Sequence, residues 1–196
     1  MKVVIVKYNA GNIRSVLFAL ERIGINAVVS DDHEEIRSAD KVIFPGVGEA
    51  SSAMQYLREK NLDKLIISLK QPVLGICLGM QLMCKHSAEN DTDCLGIFDT
   101  IVTKFNTEKG FKVPQIGWNN IYNLKTGLFE GVTENEYVYF VHGYCVSKCP
   151  ESIATTNYIT EYTSAIHKDN FYAVQFHPEK SGSVGQKILE NFIFRI

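Results

Sequence analysis

Residues 72–83 read PVLGICLGMQLM. The run VLGI after Pro72 is apolar throughout, as a short strand buried on both faces would be. The following LGMQLMCKH (78–86) has the spacing of a helix. Cys77 stands at the turn between them, framed by Gly75 and Gly79. Upstream the same alternation repeats. KVVIVKY (2–8) predicts a first strand. Asn12 is a candidate cap for a helix carrying Ile13, Val16, Leu17 and Leu20 on one face and ending at Gly24. INAVVS (25–30) and KVIFPG (41–46) predict two more strands, and 50–60 and 62–70 two more helices. Strands alternating with helices build right-handed βαβ units and a parallel sheet, so the fold class is α/β. Downstream the chain is richer in β pattern, near 96–105, 112–122, 136–148, 152–158, 163–168 and 171–176. These strands are expected to extend the sheet in mixed orientation. A final helix over 182–196 places Val184, Ile188, Leu189, Phe192 and Ile193 on one face, to pack back on the sheet.

The composition sets limits. The 196 residues suit one domain with a substantial core. They are 45% apolar and 21% charged, with a formal net charge of -2, which argues against a nucleic-acid binder. No 18-residue apolar run is present, and the N-terminus reads as a strand rather than a signal peptide. Five cysteines (Cys77, Cys84, Cys94, Cys145 and Cys149), with no C-x-x-C pair, fit a reduced cytosolic setting.

GICLG has the G-x-nucleophile-x-G spacing of a nucleophile elbow, with Cys in place of Ser. A thiol at a helix N-terminus lies at the positive end of the helix dipole, which favours thiolate. A buried core cysteine would fit the same apolar run, so the residues alone leave both readings open. A nucleophile needs a base. His33 and His86 sit in polar helical surroundings, His167 precedes KDN at an expected turn, and His142 follows the strand YVYFV. His177 ends the apolar run FYAVQF and is followed by Pro178 and Glu179. In an extended stretch His177 and Glu179 project to one side, so the carboxylate can hold one imidazole nitrogen while the other faces a thiol. An exposed H-P-E turn is the alternative. FPGVGEA (44–50) supplies two glycines directly after a strand, able to present backbone N–H groups as an oxyanion hole or simply to make a turn.

PGVG, GICLGMQL and FHPEKS, in this order and spacing, resemble the class I (triad) glutamine amidotransferases over essentially the whole chain. YNAGNIRSV (8–16), Met80, VPQIGWNNI and Lys180 resemble more narrowly the glutaminase subunits of imidazole glycerol phosphate synthases. The resemblance implies one amidotransferase domain over 1–196, with a central mixed, mostly parallel sheet flanked by helices. It implies that Cys77 attacks the side-chain amide of glutamine, that His177 moves the protons and that Glu179 orients His177. The oxyanion would be held by backbone N–H groups of Leu78 and of the segment containing Val47 and Gly48. Gly46, Gln81, Glu89, Gly143 and Tyr144 match glutamine-binding positions. Asn12, Trp118, Asn119, Tyr139 and Lys180 match the side facing a (β/α)8-barrel cyclase subunit, which receives the ammonia. No metal or organic cofactor is implied. The chain departs from the family at Lys7 and Asn9, where an acidic residue and glycine are frequent, and at Gly143, where Ser or Thr is common. Three rivals follow from the same residues: a paralogous glutaminase feeding another synthase such as a sugar-amidination enzyme, a free-standing cysteine hydrolase, and a catalytically silent binding subunit.

Overall fold

A computed structural model describes residues 1–9, 11–107 and 110–196; Ala10, inside the YNAGN stretch, lies outside the described residues. The elements run β1 (Val3–Val6), α1 (Ile13–Arg22), β2 (Val28–Ser30), α2 (His33–Arg37), β3 (Lys41–Phe44), α3 (Ala50–Glu59), α4 (Leu62–Ser68), β4 (Val73–Ile76) and α5 (Leu78–Met83). They continue with β5 (Cys84–Ser87), β6 (Thr92–Asp93), β7 (Phe98–Lys104), β8 (Gln115–Asn120), β9 (Tyr137–His142), β10 (Tyr144–Val146), β11 (Ser152–Tyr158), β12 (Thr160–Lys168), β13 (Phe171–Val174) and α6 (Gly182–Phe194).

Eleven strands form one sheet, in the order β2-β1-β3-β4-β13-β12-β10-β7-β5-β6, with β11 on β12. The five strands from β2 to β13 are parallel, and β12 turns the sheet antiparallel. Alternate residues of β1 enter opposite cores. Val4 and Val6 pack with Ile36, Met54, Leu57, Leu65 and Met80 of α2 to α5. Val3 and Ile5 pack with Val16 and Leu20 of α1 and with Ile188, Leu189 and Phe192 of α6. A strand covered on both faces is apolar along its length, which is why β1 is an uninterrupted Val/Ile run. On α6, Ile188, Leu189, Phe192 and Ile193 are buried and Val184 half-buried, as the pattern predicts.

The structure corrects several expectations. The helix expected over 78–86 stops at Met83. Cys84 is extended, and residues 84–87 pair instead with β7, through Cys84 to Phe98 and Ser87 to Val102, a non-local ladder that overrides a local helical pattern. His86 is therefore on a strand, between Asp91 and Asp93. The expected run 136–148 breaks at Gly143, and β9 leaves the main sheet to form a two-stranded sheet with β8. The strand expected over 25–30 begins at Val28, and the helix α2 adds an element. His167 lies within β12 rather than at a turn, with its ring stacked on Tyr172 at 4.0 Å. Asn12 does stand at the N-cap of α1, but its side chain makes no capping bond.

Candidate active site

Three neighbouring parallel strands, β3, β4 and β13, end side by side, and ligand sites in such sheets form at the carboxyl ends of strands. β3 delivers the loop 45–48, β4 delivers Cys77, and β13 leads to His177. Cys77 has φ 53° and ψ −106°, a left-handed backbone that costs a side-chain-bearing residue of order 1–3 kcal/mol. The turn is held by Cys77 N–H donating to Val174 O at 2.8 Å. Gly79 permits it: a Cβ there would overlap the Phe44 carbonyl oxygen, so only glycine lets the first turn of α5 lie against the end of β3.

His177 and Glu179 are both buried. Their contact does not arise from an extended stretch, because Pro178–Lys180 forms a 3-10 turn. That turn folds the carboxylate back, and His177 Nδ1 donates to Glu179 Oε1 at 2.8 Å. Ser181 braces the turn, its hydroxyl donating to His177 O at 2.6 Å and accepting from Tyr139 N–H at 2.9 Å. His177 N–H donates to Tyr139 O at 2.9 Å, so β9 is tied to the turn from both sides. Burial by itself would lower the His177 pKa, but the neighbouring Cys77 and Glu179 outweigh it and push it up to about 10. A carboxylate-backed imidazole that prefers its proton is a partner for a thiolate. In this conformation His177 Nε2 makes no hydrogen bond among the described residues. Cys77 Sγ lies 3.8 Å from Val141 O and 3.7 Å from Gln175 Nε2.

The thiol opens on a cavity of about 160 Å³ lined by Val47, Gly48, Leu78, Gln81, Glu89, Val141, His142, Gly143 and Tyr144. Gln81 is fixed by donating its amide to Gln175 Oε1 at 3.0 Å and Tyr144 O at 3.2 Å. Glu89 accepts from Ala50 N–H at 2.8 Å. Burial raises its pKa, with the Ala50 bond opposing and the Glu49 carboxylate adding to the rise. Gly46 does not line the cavity. It is buried beneath Tyr8, and its carbonyl accepts from Leu78 N–H at 3.2 Å, so one expected oxyanion donor is engaged within the chain. Gly48, at φ 128°, occupies a backbone region suited to glycine. No cluster of metal-ligating side chains occurs among the described residues.

Beside the cavity, exposed Lys180 places its ammonium 5.9 Å from the Tyr139 ring centroid. Tyr139 meets Trp118 edge-on at 6.0 Å, and Trp118 is 55% exposed. Asn119 donates its amide to Asn157 O at 3.0 Å. Asn12 stands apart from this row: its amide donates to Glu179 Oε1. That contact, and the roles of Gln175 and Tyr8, carry no local sequence signal, since each partner is distant along the chain; Ser181 joins the nearby His177 to the distant Tyr139. Lys7 and Asn9 are exposed, and Gly143 sits half-buried at the cavity wall.

A family model described as glutamine amidotransferase class-I matches residues 4–196. The imidazole glycerol phosphate synthase subunit HisH of Bacteroides thetaiotaomicron is 58% identical over 98% of this chain and 99% of its own length. The subunit of the same description from Yersinia pseudotuberculosis is 46% identical over the same shares. The crystal structure of a glutamine amidotransferase shares the fold at 18% identity, with a TM-score of 0.74 over 97% of this chain and 96% of that one.

Proposed function

Because the chain belongs to the class-I glutamine amidotransferase family, we propose a specific function for it: the glutaminase subunit of an imidazole glycerol phosphate synthase, in histidine biosynthesis. Cys77 Sγ attacks the side-chain amide carbon of glutamine. The C–N bond breaks as His177 gives its proton to the departing ammonia, leaving a γ-glutamyl thioester. His177 then takes a proton from water, which attacks the thioester and releases glutamate and the thiol. Glu179 holds the tautomer throughout. The observation that carries this reading is the buried His177–Glu179 pair set behind a strained Cys77 at the mouth of an amino-acid-sized cavity. Gln81, Glu89, Gly143 and Tyr144 would receive the glutamine head group, and neither metal nor organic cofactor takes part.

The ammonia passes to a cyclase subunit in a heterodimer, where it enters imidazole glycerol phosphate. Trp118, Asn119, Tyr139, Lys180 and Asn12 would face that subunit, which places the glutaminase site against the partner. No helix among the described residues is long and apolar enough to cross a membrane. The biosynthetic role proposed for the chain is the ground on which we assign it to the cytoplasm. The Leu78–Gly46 bond makes the partner-free state a resting one. An oxyanion hole needs Leu78 N–H free and a donor from Val47 or Gly48 turned inward, and one such donor is worth about 10²–10³ in rate. Docking favours that arrangement only by binding it more tightly than the resting one.

The test is glutamate release by the purified chain, alone and with a cyclase and its nucleotide ligand. A slow basal rate that rises about 10²-fold or more supports the reading. A full rate without any partner returns the chain to a free-standing hydrolase.

A further inference from the structure

Tyr8 lies just past β1, buried at 5% exposure, with its ring 5.2 Å from that of Phe44. Its hydroxyl donates to Pro45 O at 2.5 Å. A Cβ on Gly46 would overlap that hydroxyl and lie 2.9 Å from Leu78 Cβ, so the Gly46 backbone is seated between the phenol and α5. A Cβ on Gly11 would lie 2.8 Å from Val47 Cγ2, so the next residue of the loop rests on the same turn. Tyr8 and Gly11 thus contact three consecutive residues, Pro45, Gly46 and Val47, in the arrangement where Gly46 O caps Leu78 N–H.

We infer that Tyr8 is a positioning residue that latches the loop 45–48 in its resting arrangement, through the hydrogen bond to Pro45 O. A phenol this deeply buried stays protonated: burial first, and then the charge of Cys77, push its pKa well above the ordinary tyrosine value. It is therefore a permanent donor, and the Pro45 carbonyl has no water to turn to if the donor is lost. The latch acts upstream of the peptide that must rotate. With Pro45 and Gly46 pinned, the Gly46 carbonyl stays on Leu78; with the pin removed, arrangements that free Leu78 N–H cost less. The inference rests on Cys77 being the glutaminase nucleophile only for its effect on rate, not for its effect on the loop.

The experiment uses the full chain carrying Tyr8→Phe, which keeps the ring packed on Phe44. Two readouts are taken: hydrogen exchange of the Leu78 amide, and glutamine hydrolysis with and without cyclase. Exchange at Leu78 should quicken by about five- to tenfold, the equivalent of one neutral hydrogen bond, and the partner-free rate should rise by a similar factor. The cyclase-stimulated rate should stay within about twofold, so the stimulation ratio falls. Should Tyr8→Phe fold poorly by circular dichroism, Gly11→Ala presses on Val47 from the same turn and should move both readouts in the same direction. Unchanged Leu78 exchange overturns the latch. So does an unchanged basal rate in a protein whose wild type responds to cyclase. A wild type that never hydrolyses glutamine would refute the proposed function instead, and the Leu78 exchange would still decide the role of Tyr8.

Discussion

Glu179 Oε1 accepts two hydrogen bonds at once, one from His177 Nδ1 at 2.8 Å and one from the side-chain amide of Asn12. The turn between β1 and α1 therefore reaches the acid of the proposed triad, 167 residues away along the chain. Asn12 fixes the carboxylate that fixes the imidazole. Asn12→Ala should lower kcat by about three- to tenfold, the cost of one hydrogen bond to a charged group in part, while leaving KM for glutamine close to the wild-type value. Steady-state kinetics in the presence of saturating cyclase separates this from a pure docking defect, which would vanish at saturation.

The nucleophile is tested by selectivity. Cys77 is the cysteine at a strained strand end open to the cavity, whereas burial raises the pKa values of Cys84, Cys94 and Cys145. A glutamine-like diazo-ketone should label Cys77 alone, read by peptide mass spectrometry. Cys77→Ala and His177→Ala should each remove nearly all hydrolysis, while Glu179→Gln should retain more activity than either, since the orienting acid contributes less than the nucleophile or base. Labelling chiefly at Cys145, or a fully active Glu179→Gln, would contradict the assignment.

The strand-to-helix turn makes a stability prediction. A methyl on Gly79 would collide with the Phe44 carbonyl, and backbone cannot yield as a flexible side chain would. Gly79→Ala should cost about 1–3 kcal/mol, the usual range for forcing extra volume into a packed interior. Urea unfolding measures it, and a loss within experimental error would show that α5 can lift away from β3 without cost. Because Cys77 is the residue before α5, hydrolysis should fall in the same variant.

Much of the parallel half of the fold was readable because β1, β3 and β4 are buried almost throughout and carry few polar positions, and because Gly and Pro punctuate their ends. The candidate site was legible in part. Cys77 sits inside a contiguous turn motif and His177 and Glu179 are two residues apart, but the extended geometry expected of that pair gave way to a 3-10 turn. What escaped was settled by distant partners. Residues 84–87 continue a helical pattern and become a strand only because β7 is there to pair with them. Residues 137–142 look like any other strand, and nothing local says that they pair with β8 outside the main sheet. Gln175 is one polar letter in an apolar run, yet it touches Cys77 Sγ at 3.7 Å and anchors Gln81. Tyr8 and Asn12 read as a strand end and a helix cap, and their contacts with Pro45 and Glu179 exist only in the folded chain.

His142 gives the fold a defined acid limit. It closes β9 at 6% exposure, donating from Nδ1 to Tyr144 O at 2.7 Å and facing the Tyr162 hydroxyl through Nε2 at 3.2 Å. Protonating Nε2 would bury a charge there. Burial, opposed by the Tyr144 bond and reinforced by the charge of His177, pushes the His142 pKa down to about 4. An unfolded chain takes up that proton near pH 6.5. Between pH 6.5 and 4 the unfolded state thus binds one more proton than the folded state at this residue, so stability rises with pH across the window and is lost on acidification. The residue's share is about 3 kcal/mol in all. His177 works in a separate window. With its folded pKa raised to about 10, it stabilises the fold below pH 6.5 and loses that contribution as pH rises toward 10, so it adds no slope on the acid side. His142→Asn keeps a donor for Tyr144 O and removes the titration. Urea unfolding at pH 4.5, 5.5 and 7 should give a wild-type stability that falls more steeply toward acid than that of the variant, by about 2–3 kcal/mol over the range. Parallel slopes in the two proteins would mean that His142 takes up its proton alike in the folded and unfolded chain, and its burial would set no acid limit.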